Sequence, residues 1–208
     1  MSRGQFITLE GGEGAGKSTL LRGLRVALEA RGLKVIGTRE PGGTPAADEI
    51  RDLLVRGERD RWSALSEALL FTAARNDHLD RVVRPALRDG AWVLCDRYAD
   101  STWAYQVAGG GLPEETFVTL HKLISANRPD LTIVLDVDPQ AGVGRSRGGE
   151  TGEARFEAMD MAFHTRVREA FLSIAAREPD RCVVIDSGVA KEDVLHAALN
   201  AIDRRLLK

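Results

Sequence analysis

The feature that most constrains this 208-residue chain is a glycine-rich segment, GGEGAGKS at residues 11–18, directly after the apolar run Phe6 to Leu9. It fits the pattern GxxxxGK[ST], in which a strand leads through a loop into a helix. Glycines let the loop wrap a diphosphate with its N–H groups pointing inward, and the helix N-terminus adds its positive dipole end. The amphipathic run from Leu20 to Leu28 supplies the required helix. A glycine-rich turn without a ligand is the alternative.

Two side chains of this phosphate loop carry its expected chemistry. Lys17 is expected to reach the β- and γ-phosphates of a nucleoside triphosphate, and the Ser18 hydroxyl is expected to hold Mg²⁺. The candidate triphosphate-binding residues are Gly11, Gly12, Glu13, Gly14, Ala15, Gly16, Lys17, Ser18 and Thr19.

Short apolar runs alternate with longer helical patterns along the chain. Because these runs are nearly continuously apolar, they predict strands covered on both faces, as in a parallel sheet with helical crossovers. The predicted strands are Phe6 to Glu10, Val35 to Thr38, Trp92 to Asp96, Leu131 to Asp136 and Cys182 to Asp186. The expected fold is α/β, a single domain over residues 1–208 with a doubly wound, five-stranded parallel sheet. Ligands of such folds bind at the carboxyl ends of the strands.

Composition excludes several classes of protein. The apolar fraction of 43% is enough for a hydrophobic core, and a net charge of −2 argues against a protein that coats nucleic acid or a membrane surface. Cys95 and Cys182 lie within apolar runs, which favours buried reduced thiols over a disulfide or a metal site. The N-terminus shows no basic apolar leader, and no apolar stretch approaches the roughly 20 residues that span a bilayer. We therefore expect a cytoplasmic protein.

Five motifs, taken together and in order, resemble one known family. They are GGEGAGKS at residues 11–18, TREPGGT at 38–44, FTAAR at 71–75, DRY at 96–98 and STWAYQ at 101–106. This combination is similar to that of the thymidylate kinases, a family of P-loop nucleoside monophosphate kinases. The resemblance implies transfer of the γ-phosphoryl group of ATP to the 5′-phosphate of dTMP, with Mg²⁺ as cofactor. It also implies a doubly wound sheet with a small lid, and a homodimer.

Two arginines that follow predicted strands are candidates for gripping the acceptor phosphate. Such an acceptor is already an anion, so the reaction needs no general base but does need cations that bring two phosphates into line. Arg39 and Arg97 meet this need, because a guanidinium binds phosphate oxygens bidentately. The alternative is that Arg39 pairs with Glu40, and Arg97 with Asp96, as structural ion pairs.

A carboxylate at the end of a strand is the expected support for Mg²⁺. Asp96 ends one apolar strand and Asp136 ends another, so either residue fits on position alone. The family motif favours Asp96.

The resemblance also assigns a nucleoside site. It implies that Phe71 stacks on thymine, that Arg75 bonds O4, and that Ser101 or Thr102 meets the imide edge. It further implies that Tyr105 closes the space of a ribose 2′-hydroxyl and that Gln106 reaches toward the sugar or phosphate. Pro41 belongs to the same dTMP site by its motif. Ordinary core and helix packing is the alternative for Phe71, Tyr105 and Gln106.

Glu13 is unusual for its position, since a carboxylate beside a triphosphate is repelled unless it serves another partner. The resemblance implies such a partner, the 3′-hydroxyl of dTMP. A solvated glutamate is the alternative.

A glycine-rich stretch from Ser146 to Ala154 predicts a mobile loop, and the lid is expected at about residues 145–156. The variable positions of the phosphate loop carry no arginine, so the family's catalytic arginine is expected in this lid. Arg147 and Arg155 are the candidates, with Arg145 packing on adenine, and a solvated basic loop is the alternative. A lid arginine would neutralise charge on the transferring group and exclude water.

Two other functions compete with this interpretation. A kinase for dUMP, dCMP, AMP or GMP would use the same phosphate-binding parts, but the 39–44 and 71–75 motifs favour thymine. A GTP-dependent switch would need a DxxG motif, which the sequence lacks, and a guanine-reading NKxD after a strand. The segment NRPD at residues 127–130 precedes its strand and is better interpreted as a helix stop and turn.

Overall fold

A computed structural model describes residues 3–58, 60–146 and 154–207. Its strands are β1 (Phe6–Glu10), β2 (Val35–Arg39), β3 (Trp92–Asp96), β4 (Leu131–Asp136) and β5 (Cys182–Asp186). The strand predictions are confirmed, with β2 running one residue further than expected. The helices are α1 (Lys17–Glu29), α2 (Pro45–Val55), α3 (Ala64–His78), α4 (Arg84–Arg88), α5 (Ala99–Thr102), α6 (Glu114–Leu123), α7 (Pro139–Ser146), α8 (Ala154–Glu157), α9 (Met161–Arg177) and α10 (Lys191–Leu206). Two π-helical segments, Leu79–Val83 and Trp103–Gly109, continue α3 and α5.

The strands form one parallel sheet in the order β2-β3-β1-β4-β5. Strand β1 lies between β3 and β4, with Leu9 opposite both Asp96 and Ile133. The chain therefore changes direction across the sheet at β1, and the carboxyl ends of β1 and β3 open a crevice between them. The phosphate loop leaves β1 at this crevice.

Two of the helices near the site begin at a residue whose side-chain hydroxyl caps the helix. The Thr44 hydroxyl accepts a hydrogen bond from the Ala47 N–H and caps α2, with Pro45 in the first turn. Ser63 caps α3 in the same way through the Ser66 N–H. These caps satisfy N–H groups that would otherwise lack partners, and they fix where each helix begins.

Helices cover both faces of the sheet. On one face α1 and α10 bury an apolar stripe that includes Leu24, Leu28 and Ile202. On the other face, α9 packs Val167 and Phe171 against the second π-helical segment and β4. Helices on both faces of a parallel sheet confirm the doubly wound α/β fold.

Three further observations concern the rest of the chain. Both Cys95 and Cys182 are free, buried thiols. The NRPD segment precedes β4, as expected, but α6 already ends at Leu123, so the segment connects into the sheet, where Asp130 accepts a hydrogen bond from the Phe6 N–H of β1. None of the helices in the described part of the chain combines the length and apolarity that a membrane crossing requires.

Candidate active site

The phosphate loop owes its shape to glycines with positive φ, including Gly11 at 137° and Gly14 at 63°. A Cβ atom on Gly14 would overlap the backbone of Gly142 in α7, so the loop is closed against that helix. The Lys17 ammonium folds back on the loop and donates to the carbonyl oxygens of Gly11 and Gly12 at 3.2 and 2.8 Å. The loop is therefore preshaped, with its lysine folded against its own backbone.

One hydroxyl and one carboxylate meet beside the loop. Ser18 Oγ donates to Asp96 Oδ2 at 2.6 Å, although the two residues lie 78 positions apart in sequence. Asp136, the competing carboxylate, is held by both Nε and Nη2 of Arg168 at 2.6 and 2.9 Å. Because Mg²⁺ prefers oxygen ligands, the Ser18 and Asp96 pair has the chemistry of a magnesium site.

An open cleft of about 550 Å³ lies over the phosphate loop. Its walls carry an unusual number of cations, and those side chains are Lys17, Arg22, Arg39, Arg51, Arg97 and Arg145. Arg39 extends from the end of β2 and donates to Asp48 at 3.3 Å, so the alternative of a pair with Glu40 is wrong. A cleft with this charge suits a polyanion such as two phosphorylated nucleotides.

Arg97 is held in a strained backbone conformation, with φ at 69° in a region that non-glycine residues seldom adopt. Its side chain donates to the Gly11 carbonyl at 3.0 Å, to Ser101 Oγ at 3.3 Å and to Glu13 Oε1 at 3.0 Å. The alternative of an ion pair with Asp96 is therefore wrong, because Arg97 is directed across β1 toward the phosphate loop.

The carboxylate that holds this turn is Glu10, the last residue of β1. It accepts hydrogen bonds from the Tyr98 N–H at 2.8 Å and from Ser101 Oγ at 2.5 Å. Complete burial, reinforced by the negative charge of Asp100, raises the pKa of Glu10 far above its usual range. By accepting from the Tyr98 N–H, Glu10 thus stabilises the strained backbone of the preceding residue, Arg97.

Glu13 is buried, with 5% of its surface exposed, so the alternative of a solvated glutamate is wrong. It accepts hydrogen bonds from Arg97 and from the Tyr105 hydroxyl, the latter at 2.7 Å. The Arg97 guanidinium also lies over the Tyr105 ring, 5.0 Å from its centroid. These three side chains form one unit between the phosphate loop and the neighbouring cavity.

That neighbouring cavity is smaller than the phosphate cleft and lies directly beside it. All the residues predicted for the dTMP site line it except Arg39, which lines the phosphate cleft. The predicted residues that line the cavity are Glu13, Pro41, Phe71, Arg75, Arg97, Ser101, Thr102, Tyr105 and Gln106. Phe71 is half-buried there and lies 6.4 Å from Phe156, while its neighbour Leu69 is exposed to solvent.

Arg75 enters the cavity as part of a buried chain of hydrogen bonds. Its Nε donates to Glu40 Oε2 at 2.7 Å, and its Nη2 donates to Thr102 Oγ1 at 2.9 Å. The other oxygen of Glu40 is 2.9 Å from Nδ1 of His78. Burial opposes the charge on Arg75, but Glu40 more than offsets it, so the pKa of Arg75 is raised. The guanidinium stays a fixed, charged donor.

Of the other polar residues in the cavity, Ser101 has its hydroxyl committed to Glu10 and Arg97. Gln106 donates from Nε2 to Glu67 Oε2 at 2.8 Å. Its carbonyl oxygen Oε1 is buried and has no hydrogen-bond partner within the described residues. An acceptor in that state is suited to a donor on a ligand.

The lid arginines are divided between two places. Arg145 lines the phosphate cleft and donates to the Ser187 carbonyl at 3.2 Å. Arg155 is buried away from that cleft, where it bonds Glu67 and the carbonyl oxygens of Leu54 and Glu58. Arg147 lies outside the described residues. Of the two lid arginines that the structure describes, Arg145 is therefore the one at the phosphate cleft.

Sequence reasoning missed several residues of the site. Arg22 and Arg51 line the phosphate cleft, and Arg51 donates to the Pro41 carbonyl at 3.0 Å. Arg22 is one turn beyond Ser18 on α1, so helical spacing from the phosphate loop was a usable signal. Glu40 and Glu67 position other side chains through contacts 35 to 88 residues away in sequence, and no local pattern marks them.

Comparisons with known proteins agree with this geometry. The family model described as thymidylate kinase matches residues 9–198. A thymidylate kinase of Caulobacter vibrioides is 51% identical, covering 99% of this chain and 99% of the relative. One from Rhizorhabdus wittichii is 48% identical, covering 96% and 97%. The crystal structure of a thymidylate kinase from Ehrlichia chaffeensis superimposes with a TM-score of 0.79 at 32% identity, covering 96% of this chain and 99% of that one. The chain therefore belongs to the thymidylate kinase family.

Proposed function

We propose that this chain transfers the γ-phosphoryl group of ATP to the 5′-phosphate of dTMP and releases dTDP and ADP. One observation carries the proposal. Glu13, Glu40 and Arg97 line both the cationic cleft over the phosphate loop and the smaller cavity beside it. A nucleotide in each compartment would meet the other at Arg97, with the two phosphate groups facing each other.

The donor nucleotide binds with its phosphates on the loop. The N–H groups around Gly14 and Gly16 surround the β-phosphate, and Lys17 exchanges its carbonyl partners for phosphate oxygens. Ser18 and Asp96 would hold Mg²⁺, which would supply positive charge to the phosphate oxygens. Arg145, at the rim of the same cleft, is placed to contact the adenosine part of ATP.

The acceptor phosphate binds Arg97 and Arg39, with Arg51 beside them. The Arg39 contact with Asp48 is a surface ion pair of the kind that contributes about 0–1 kcal/mol, so a phosphate dianion displaces it readily. These cations counter the repulsion between the two nucleotides and align the acceptor oxygen with the γ-phosphorus. No proton has to be removed from the acceptor, since a phosphate monoester is already ionised.

The cavity has the features that a thymine ring requires. Phe71 offers a flat aromatic face, while Val55 and Pro41 supply apolar surface for the methyl group. Arg75 donates to the O4 carbonyl. We assign the unpartnered Gln106 carbonyl to the ring N3–H, in place of the sugar or phosphate contact that the family resemblance implies. Tyr105 and Glu13 then face the sugar.

Charge neutralisation during transfer is assigned to the lid, by Arg147 or Arg155. For Arg155 this role requires release from Glu67. Alanine at each of Arg145, Arg147 and Arg155, with both substrates saturating, tests the assignment. Loss of kcat in one variant identifies the arginine, and unaltered turnover in all three contradicts a lid arginine.

We also infer a cytoplasmic homodimer. The apolar side chains Leu65 and Leu69 on α3, and Val118 and Leu123 on α6, are exposed on two helices that contact each other. A second copy of the chain covers such a surface. Sedimentation velocity measures the mass of the particle in solution, and we expect the mass of two chains.

A panel of nucleoside monophosphates with ATP and Mg²⁺ tests the function. We expect dTDP from dTMP at a far higher kcat/KM than the diphosphates of dCMP, AMP or GMP, and little ATP hydrolysis without an acceptor. A purine monophosphate as the best substrate would indicate a different kinase. Hydrolysis that does not depend on any acceptor would indicate an ATPase.

A further inference from the structure

Glu67 is a buried carboxylate on α3 that does not line the base cavity but contacts a residue that does. Its Oε2 accepts a hydrogen bond from Gln106 Nε2 at 2.8 Å, and its Oε1 accepts one from Arg155 Nη1. Only 7% of Glu67 and 1% of Gln106 are exposed. Both carboxylate oxygens are therefore committed to protein groups, away from solvent.

The chemistry of these partners fixes the orientation of the Gln106 amide. An ionised carboxylate only accepts hydrogen bonds, whereas a glutamine amide has an NH₂ donor at one side and a carbonyl acceptor at the other. The NH₂ group must face Glu67, and Oε1 must then point away from it. That oxygen is buried without a hydrogen-bond partner in the part of the chain that the structure describes. A buried acceptor without a partner is destabilising, and a hydrogen-bond donor on a ligand would remove that cost.

A buried carboxylate needs a counter-charge, and Arg155 of α8 supplies it. The same guanidinium donates from Nε to the Glu58 carbonyl at 3.0 Å and from Nη1 to the Leu54 carbonyl at 3.3 Å. Helix α8 is thus tied to the end of α2 and to α3 at one point. Phe156, the residue after Arg155, lines the base cavity. In this position α8 therefore stabilises the charge on Glu67 through Arg155, and the side chain of Phe156 forms part of the cavity wall.

We propose that Glu67 is a specificity-determining positioning residue, which locks the Gln106 amide so that the cavity accepts a base with a ring N–H donor and rejects one with a ring nitrogen acceptor. This inference rests on the proposed function and names the feature of the base that the site selects. Thymine and uracil carry the N3–H donor. Cytosine and its 5-methyl derivative present a lone pair at N3, which would face the lone pairs of Gln106 Oε1.

The test compares dTMP with 5-methyl-dCMP, which keeps the methyl group, sugar and phosphate but has an acceptor at N3. In Glu67→Gln the new amide can itself donate, so the Gln106 amide is free to turn and present its NH₂ group to the cavity. We expect the ratio of kcat/KM for dTMP over 5-methyl-dCMP to fall about 10-fold or more. The reason is that the cavity no longer presents only an acceptor to N3 of the base. Arg75 still disfavours the 4-amino group, so the ratio stays above unity. The KM for dTMP should rise while the KM for ATP holds.

Two further variants complete the design. Gln106→Met removes the carbonyl acceptor and leaves the Arg155–Glu67 pair in place, so it should lower the ratio to a similar value. Adding Glu67→Gln to it should then change nothing more. Glu178→Gln removes a carboxylate that is paired with Arg181 outside the cavity, and its ratio should match the unmodified protein.

Each result separates one explanation from another. A folded Glu67→Gln protein with an unchanged ratio, or with equal losses for both substrates, overturns the inference. If that variant fails to fold, as judged by its melting temperature, an unchanged ratio in Gln106→Met overturns it. An unmodified protein that forms no dTDP from dTMP refutes the proposed function itself.

Discussion

Replacing Glu13 by alanine tests the coupling between the two compartments most directly. The substitution removes two hydrogen bonds, one from the Arg97 guanidinium at 3.0 Å and one from the Tyr105 hydroxyl at 2.7 Å. Arg97 keeps its contacts with Gly11 and Ser101, so it stays near the site. It loses the carboxylate that orients its Nη2 group. We expect the acceptor phosphate to be bound less well and aligned less accurately.

The size of the effect follows from these contacts. A hydrogen bond to a charged group contributes about 1.5–3 kcal/mol, so kcat/KM for dTMP should fall roughly 10- to 150-fold. ATP should respond differently. Glu13 also lines the phosphate cleft, where its negative charge repels a triphosphate, so its removal should leave the Kd for ATP unchanged or slightly lower.

The assay measures kcat/KM for dTMP at saturating ATP, together with the Kd of ATP alone by calorimetry. Tyr105→Phe is the matched control, because it deletes only the neutral donor and should cost about 0.5–1.5 kcal/mol, less than the loss of Glu13. Equal losses in dTMP use and ATP binding would refute the reasoning, because Glu13 would then act on the loop as a whole. A Tyr105→Phe loss as large as that of Glu13→Ala would show that the contact with Arg97 is not the important one.

Three further predictions follow from carboxylates in or next to the site. Asp96→Asn should raise the Mg²⁺ concentration for half-maximal turnover about 10-fold or more, measured by titration at fixed ATP; an unchanged titration would exclude Asp96 from the metal site. Glu40→Ala strands the buried Arg75 guanidinium and should lower the free energy of unfolding by about 3–5 kcal/mol in urea, whereas a loss below about 1 kcal/mol would contradict a strong buried pair. Burial raises the pKa of Glu10 from 4.5 to about 8, so between these values the unfolded state has lost a proton that the folded state keeps, and stability declines as pH rises. Glu10→Gln should flatten that slope in urea unfolding from about pH 5 to about pH 8, and an unaltered slope would assign the proton elsewhere.

Local sequence patterns were enough to predict the five strands and the phosphate loop, and the family resemblance named the residues that line the cavity beside it. Continuous apolar runs marked the strands because each is covered on both faces, and the glycines of the phosphate loop marked the turn because other residues do not tolerate its positive φ angles. Residues such as Arg97 were recognisable because the carboxyl ends of parallel strands converge on one edge of the sheet. These signals all act over a few residues, and they are visible without knowing what packs against what.

The partners of charged side chains could not be obtained in that way. Asp96 and Asp136 each lie at the end of a strand. Only the tertiary structure shows that Arg168 of α9 binds Asp136, whereas Ser18 donates to Asp96. Likewise Arg97 turned out to pair with Glu13, 84 residues away, and not with its neighbour Asp96.

The sequence by itself determined the sheet and the phosphate loop, since each depends on local backbone preference and hydrophobic pattern. Only the tertiary structure decided which carboxylate serves which cation, and that the amide of Gln106 is held by Glu67. The physical reason is that a buried charge takes whichever partner the packing brings within hydrogen-bond distance, and that distance is a property of the whole fold.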